Sequence, residues 1–279
     1  MGKEGLRYAA KVDLNKPASE QPQLHNRWHP DVPFAGTIKN NEVVKIQCVD
    51  WTGGQIGNND SADDMMTVDL TKIHYLTGPF EIETAEPGDV LVVEIQDVQP
   101  LQEQPWGFTG VFDKKNGGGF LDEIYPKAAG DDIKEKVGRE GARTVPGRPE
   151  HGGNCDIKNL SRGSKVYLPV HVKGAKFSVG DLHFSQGDGE ISFCGAIEMA
   201  GEITIKFTVM KGGVEQLAMK SPIYIPGPVE PQFGPGRYIY FEGFSVDENG
   251  KQHYLDATVA YRQTTLRCIE YLKRFGEHA

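Results

Sequence analysis

Short apolar runs, rich in β-branched and aromatic residues and bounded by glycine or proline, recur through most of this chain of 279 residues. They occupy residues 43–50, 78–84, 90–98, 165–172, 191–197, 203–210 and 238–244. Their length, and the period-two alternation of several of them, predict strands. A chain built from such strands favours a β-sandwich, in which two sheets bury their apolar faces against each other.

Two segments depart from this pattern and predict helices. Residues 131–140 are charged, and residues 256–275 place apolar side chains at three- and four-residue intervals opposite arginine and lysine, as an amphipathic helix does. The apolar positions of the second segment are Val259, Leu266, Ile269 and Leu272.

The charge balance narrows the class of partner. The chain has 30 Lys and Arg against 39 Asp and Glu, a formal charge of -9. Nucleic acids and anionic membranes are bound through basic patches, so neither is an expected partner, and small neutral substrates are favoured. No apolar run approaches the ~18 residues of a membrane span, and the first residues lack the apolar core of a signal peptide. We therefore expect a cytosolic protein.

The cysteines indicate reduced thiols. Cys48, Cys155, Cys194 and Cys268 are far apart and never form a Cys-x-x-Cys pair, so the pattern indicates neither a structural zinc site nor a disulfide framework. Cys155 could be a nucleophile if a neighbouring base lowered its pKa, or it could be buried as a small apolar residue, which is the commoner role of a free cysteine.

Residues 180–190 (GDLHFSQGDGE) place an imidazole, a side-chain amide and three carboxylates within eleven residues. Strand-like runs precede and follow this cluster, so we expect it on a loop between two strands. Polar groups this close together must face water or satisfy one another, because an unpaired buried charge is strongly destabilising. The pattern alone leaves open a functional site, a solvated acidic hairpin and a calcium loop, although it lacks the ligand spacing of an EF-hand.

Two further polar segments each allow a functional and a local interpretation. Residues 25–30 (HNRWHP) could line a pocket, or Trp28 could anchor an extended arm to the body or to another subunit. Residues 51–64 are too polar for a core and rich in groups that orient amides. Asp60 or Ser61 could instead cap a short helix.

Residues 180–183 (GDLH) and 186–190 (QGDGE) resemble the signature of the acetamidase/formamidase family, and in particular of its formamidase branch. Other motifs of the family occur in the family's order. They are residues 25–30 (HNRWHP), 57–64 (GNNDSADD), 85–89 (AEPGD) and 149–156 (PEHGGNCD). The resemblance implies hydrolysis of formamide to formate and ammonia by a cytoplasmic homo-oligomer.

The resemblance also implies a fold class that is mainly β with α+β additions, a β-sandwich plus a smaller α+β portion. We expect residues 1–130 to hold an N-terminal arm and β-sandwich portion, and residues 131–279 to hold a β-rich portion with the polar cluster and a C-terminal helix. Related formamidases carry a longer segment after Gly130 and continue beyond the last helix. Without the internal segment, we expect a wider and less well closed pocket.

Hydrolysis of a primary amide requires a nucleophile, a donor for the developing oxyanion and an acid that protonates the leaving ammonia. The chain has no Gly-x-Ser-x-Gly elbow and no cysteine with a convincing local partner, which favours a water activated by a carboxylate or a metal ion. The predicted catalytic residues are His183, Asp188 and Glu190, of which Glu190 could act alone as the general base.

The resemblance and the donor types together predict the binding residues. A divalent ion, zinc or calcium, would be held by His183, Asp156 and Glu190, and no organic cofactor is expected. Side-chain amides can hydrogen-bond both the carbonyl and the NH₂ of a substrate amide. The predicted substrate-binding residues are Asn58, Asn59, Asp60, Asn154, Asp156 and Gln186.

The alternative hypothesis is a shortened, non-catalytic form of the same fold that binds small amides or serves as a subunit, because a site can persist as a binder. A purely structural interaction module is disfavoured, since so many clustered polar groups need partners. The expected partners are a small amide and further copies of the chain, with no nucleic acid and no membrane.

Overall fold

Strands dominate the described part of the chain, which in this computed structural model comprises residues 5–59, 63–111, 131–144, 152, 154–188, 193–227, 239–253 and 256–275. The strands are Tyr8–Ala10 (β1), Leu24–His25 (β2), Arg27–Trp28 (β3), Gly36–Ile38 (β4), Val43–Cys48 (β5), Leu76–Ile82 (β6), Val90–Pro100 (β7), Gly107–Val111 (β8), Ala142–Arg143 (β9), Lys165–Pro169 (β10), Phe177–Val179 (β11), Leu182–Gln186 (β12), Phe193–Met199 (β13), Gly201–Met210 (β14), Ile223–Ile225 (β15) and Tyr240–Phe241 (β16). The α-helices are Asp63–Thr67 (α1), Asp131–Glu140 (α2), Gly213–Gln216 (α3) and Ala257–Phe275 (α4).

Seven strands form the largest sheet, in the order β1-β5-β14-β7-β10-β15-β16. β14 lies between β5 and β7 and pairs antiparallel with both. Its pairing with β7 extends from Gly201 opposite Pro100 to Met210 opposite Val90. Along β5 the buried residues alternate with partly exposed ones, as the period of two requires. Strands predicted near residues 43–50, 90–98, 165–172 and 203–210 are thereby confirmed.

A smaller sheet covers one face of the large one. It has the order β11-β6-β2, with β4 also paired to β6. One apolar core contains buried residues of both sheets, and the rings of Phe177 in β11 and Phe207 in β14 meet edge to face with centroids 4.9 Å apart. The predicted fold class, mainly β with a β-sandwich and few helices, is therefore confirmed. Strands from both sides of residue 130 share the large sheet, and the division of the chain at that residue stays a prediction.

A third sheet, β12-β13-β8, corrects the prediction that residues 180–190 form a loop. Leu182–Gln186 is itself a strand, and the loop begins only at Gly187. In β12, with the sequence LHFSQ, Leu182 is the one buried residue. The strand therefore lacks the regular alternation of apolar and polar residues by which a strand is predicted from sequence. It forms because β13 offers an antiparallel partner, with Leu182 opposite Met199.

The long helix α4 confirms the helix predicted at residues 256–275, but not the orientation of its apolar face. Ile269 and Leu272 are 44% and 55% exposed, whereas Gln263 is buried. Gly243 decides this orientation, because a Cβ atom there would overlap Ala260 and Thr264, so the helix approaches the body along those small residues. None of the helices in the described ranges has both the length and the hydropathy of a membrane span.

A buried arginine holds the chain that leads into β6. Arg143 in β9 is 1% exposed, and its guanidinium group donates hydrogen bonds to the carbonyl oxygens of Leu70, Thr71 and Ile73. A buried charge is tolerated only when it is well hydrogen-bonded, and the planar fork of arginine can reach several carbonyls at once. This contact fixes the backbone immediately before His74.

We predict that Arg143→Lys lowers the free energy of unfolding by about 2–4 kcal/mol, because a lysine ammonium group cannot reach the same set of carbonyls and would leave buried acceptors unpaired. Urea denaturation measures the effect. Arg139→Lys is the matched control on the exposed surface of α2, where a change within about 0.5 kcal/mol is expected. Equal stability of the two variants would contradict the role assigned to Arg143.

Candidate active site

A cavity of about 650 Å³ lies beside β11 and β12. Apolar residues of β7, β10 and β14 form one part of its wall, and polar side chains form another. The polar lining includes His74, Asn154, Asp156, Ser178, Asp181, His183 and Gln186. A concave site with an apolar wall and a few convergent polar groups is the usual form of a small-molecule site.

His183 is the centre of the polar wall. Its Nε2 lies 2.9 Å from Oε2 of Glu198, 3.3 Å from Oδ1 of Asp181 and 4.0 Å from Oδ1 of Asp156. The antiparallel register of β12 and β13 brings this about, because it places His183 directly opposite Glu198. Asp181 precedes β12 with a φ of +55°, a left-handed turn that starts the strand.

His74 adds a second imidazole to the cluster. Its Nδ1 lies 3.5 Å from Oδ2 of Asp181, and its side chain is largely buried. The loop held by Arg143 positions this residue at the entry to β6. The indole of Trp51 packs on the imidazole with ring centroids 5.3 Å apart.

Burial and neighbouring charges set the protonation of the cluster. Burial opposes a charged imidazole, yet the hydrogen bonds with Asp181 and Glu198 outweigh it and raise the pKa of His183 to about 11. Burial likewise opposes the Asp181 carboxylate, but the imidazoles of His74 and His183 lower its pKa to about 2. Burial lowers the pKa of His74, so this imidazole is neutral at pH 7.

The cluster fits a divalent metal ion. Asp156, Asp181 and His183 each offer one ligand atom, and these atoms all lie within 4.8 Å of one another. The protonated imidazole of His183 supplies positive charge to these carboxylates, and a divalent ion that displaced its proton would supply that charge in its place. Two of the predicted ligands, Asp156 and His183, are therefore brought together. The third, Glu190, lies outside the described residues, so its role as a ligand stays a prediction. Asp181 belongs to the group without having been predicted.

Some of the other predicted site residues line the cavity, and others lie away from it. Asn154 and Gln186 line the cavity with Asp156. Asp188 is exposed and pairs with Lys158 instead, accepting the backbone N–H of that residue at 2.9 Å.

The predicted substrate loop lies apart from the cavity wall. Asn58 and Asn59 are exposed, and the side chain of Asn59 donates to Asp64 at 3.0 Å. Neither residue is in the described lining of the cavity. Asp60, like Ser61, lies outside the described residues. The roles assigned to these residues and to Asp188 stay predictions.

Three contributors to the site were not among the predicted residues. Asp181 carried a signal, because it lies in the same eleven-residue cluster as His183. Glu198 could be found only by knowing the register that sets it opposite His183, and His74 stands alone in the sequence. Both are therefore products of the tertiary structure.

A second polar group, around the buried Tyr224, adjoins the cavity. The Tyr224 hydroxyl lies 2.6 Å from Sγ of Cys155 and 3.0 Å from Oε2 of Glu242. Burial, assisted by the Glu242 carboxylate, raises the pKa of the Cys155 thiol well above its ordinary value, so the thiolate is scarce at neutral pH. The structural interpretation of Cys155 is therefore favoured over the nucleophile. Burial also raises the pKa of Glu242 to about 7.

Comparison with known proteins agrees with this site. The sequence profile of the Acetamidase/Formamidase family matches residues 11–134 and 128–278. A Schizosaccharomyces pombe protein, provisionally named a formamidase, is 58% identical over 97% of this chain and 84% of its own length. The formamidase of Methylophilus methylotrophus is 44% identical with the same coverage. The solved structure of a gamma lactamase from Delftia acidovorans is 43% identical, covers 97% of this chain and 84% of its own, and has a TM-score of 0.73. This chain belongs to the acetamidase/formamidase family.

The relatives contain internal residues that this chain lacks. The alignments with the S. pombe and M. methylotrophus proteins extend over 345 and 346 positions, whereas the chain has 279 residues. The two stretches matched by the family profile meet at residues 128–134. This agrees with the longer segment that the resemblance implies after Gly130.

We predict that Glu242→Gln removes part of the pH dependence of stability. The folded pKa of about 7 lies above the ordinary value of a glutamate, so between about pH 4 and 7 the folded protein binds more protons than the unfolded chain. The contribution of Glu242 therefore stabilises the fold at low pH and is lost as the pH rises through 7. Glu242 keeps some accessible surface, and we expect an effect of at most about 3 kcal/mol.

Urea denaturation of wild type and Glu242→Gln at pH 5 and pH 8 measures this difference. The variant should gain stability relative to wild type at pH 8. Glu83→Gln, at an exposed glutamate, is the control and should follow wild type at both pH values. Parallel pH profiles for wild type and Glu242→Gln would show that Glu242 is ionised in the fold.

Proposed function

We propose that this protein hydrolyses formamide, and other short aliphatic amides, to the carboxylate and ammonia. Membership of its family makes the chain a hydrolase of amide C–N bonds. The observation that carries the proposal is the convergence of Asp156, Asp181 and His183 in a cavity with room for a small ligand. Ammonia release from formamide by the purified chain is the direct test.

The ion is assigned to Asp156, Asp181 and His183, and zinc is favoured over calcium. An imidazole nitrogen with two carboxylates suits zinc, whereas calcium takes oxygen ligands. A bound zinc ion would supply a polarised substrate carbonyl and a water that loses its proton near neutral pH. Glu198 lies 2.9 Å from Nε2 of His183, the same nitrogen that faces Asp156 and Asp181. An ion bound at this nitrogen would replace its proton and would have the Glu198 carboxylate beside it.

His74 is assigned the proton transfers. Its imidazole is neutral and its Nδ1 faces Asp181, which leaves Nε2 to take a proton from the attacking water. The same nitrogen then delivers the proton to the leaving nitrogen, so that ammonia departs as a neutral molecule, and the carboxylic acid that forms loses its own proton to solvent. The side-chain amides of Asn154 and Gln186 line the cavity where they can orient the substrate amide.

We predict that the purified chain contains about one divalent ion and that prolonged chelation abolishes ammonia release. Asp181→Asn and His183→Ala should each bring the metal content close to zero. His171→Ala, at an exposed histidine, is the matched control and should keep the ion. Metal analysis and melting temperatures together separate loss of the ion from loss of the fold. Full activity in a metal-free sample would refute the metal assignment and favour activation by a carboxylate alone.

The alternative, a shortened form that binds amides without hydrolysis, is favoured by one observation. The chain lacks internal residues that its relatives carry near residues 128–134. Under this alternative formamide binds but no ammonia is released. Assembly as a homo-oligomer and a cytoplasmic location stay predictions from the family resemblance.

We predict that a chain with a relative's segment inserted between Gly130 and Asp131 has a higher kcat/KM for formamide than the present chain. A covering segment excludes water and orients the substrate, and a displacement of ~1 Å can change the rate ~100-fold. Melting temperatures should change little, because the apolar core lies between the large sheet and the sheet around β6, and no described strand of either sheet includes residues 128–134. Equal kcat/KM for the two chains would show that the site is complete without it.

A further inference from the structure

A histidine and a serine form a hydrogen-bonded pair across strand β6. His25 lies on β2 and Ser178 on β11, and these strands flank β6 on opposite sides. Nε2 of His25 is 2.7 Å from Oγ of Ser178. Gly78 leaves room for the serine side chain, because a Cβ atom at that position would lie 2.6 Å from Oγ of Ser178.

The neighbours of His25 determine where its proton lies. Nδ1 is 2.9 Å from the carbonyl oxygen of Arg27, which can only accept, so Nδ1 carries the hydrogen and donates it. Burial lowers the pKa of His25 to about 4, so the ring carries a single proton at pH 7. Nε2 therefore presents a lone pair, and the Ser178 hydroxyl donates its hydrogen to it.

This leaves the Ser178 oxygen as an acceptor. A hydroxyl has one hydrogen and two lone pairs, and the hydrogen is already directed at His25. Among the described residues, His25 is the hydrogen-bond partner of this hydroxyl. Ser178 lines the same cavity as Asp181 and His183, and three peptide units limit the distance between the Cα atoms of Ser178 and Asp181 to about 11 Å.

We propose that Ser178 binds the NH₂ group of a primary amide, held as a hydrogen-bond acceptor by His25, and thereby selects amides over carboxylates. The inference rests on the proposed function and names a specificity residue for it. Formamide carries two N–H donors, whereas formate carries none and presents a negative oxygen that an acceptor repels. The pair would therefore favour substrate over product and assist product release.

Ser178→Ala and the control Ser19→Ala, at an exposed serine outside the cavity, test this role. A neutral hydrogen bond is worth about a 2- to 10-fold change in affinity. We expect Ser178→Ala to raise KM for formamide by that factor with kcat changed less. The inhibition constant of formate should stay the same or fall, and that of N,N-dimethylformamide, which has no N–H donor, should not change. His25→Ala frees the serine hydrogen, and formate should then bind more tightly.

The outcomes separate this inference from the proposed function. If wild type releases no ammonia, hydrolysis is refuted, and saturation-transfer NMR with formamide then compares binding to wild type and Ser178→Ala. Weaker binding of formamide by the variant supports the acceptor role, while equal binding, or no binding to either, overturns it. A uniform change for formamide, formate and N,N-dimethylformamide would also overturn it, because that is the signature of a distorted cavity. An acyl group found on Ser178 during turnover would show a nucleophile instead.

Discussion

The main physical constraint on this structure is that several ionisable side chains are buried away from bulk water. Three carboxyl groups and two imidazoles meet around His183 and His74, and Arg143 lies buried nearby. Removing an ion from water is penalised by several kcal/mol even after relaxation, which is comparable with the ~5–15 kcal/mol that stabilises a whole domain. Such a cluster persists only where each polar group is fixed opposite a partner, and backbone ladders provide that rigidity.

Three of the four sheets in the described residues hold this cluster in place. The large sheet and the sheet around β6 form the apolar core, in which Phe80, Ile205 and Phe207 are fully buried. The burial of each such side chain contributes about 1.5–3 kcal/mol, and this offsets the polar groups placed at the edge of the core. The small sheet then brings β12 and β13 together, so that the cavity has an apolar wall on one side and ionisable groups on the other.

Two glycines, one in β6 and one near α4, allow neighbouring segments to pack closely against the backbone. Gly78 leaves room for the side chain of Ser178, and Gly243 leaves room for the helix α4. The helix consequently turns Gln263 inward and leaves Tyr261 and Leu272 in solvent. At both glycines, the lack of a Cβ atom allows the close packing of the neighbouring residues.

The sequence by itself determined the strand-rich fold, the long C-terminal helix and the importance of the segment around His183, because these follow from local periodicity and from the motifs of residues 180–190. It also brought Asp156 into the candidate site through a second motif. It did not reveal β12, because a short polar strand forms only when a partner such as β13 supplies the other half of its hydrogen bonds. The contributions of Glu198, His74 and the pair of His25 and Ser178 were decided by tertiary structure alone. Strand register and the approach of distant loops depend on residues far apart in the chain. The spacing of residues along the sequence therefore does not predict which side chains come within 3 or 4 Å of each other.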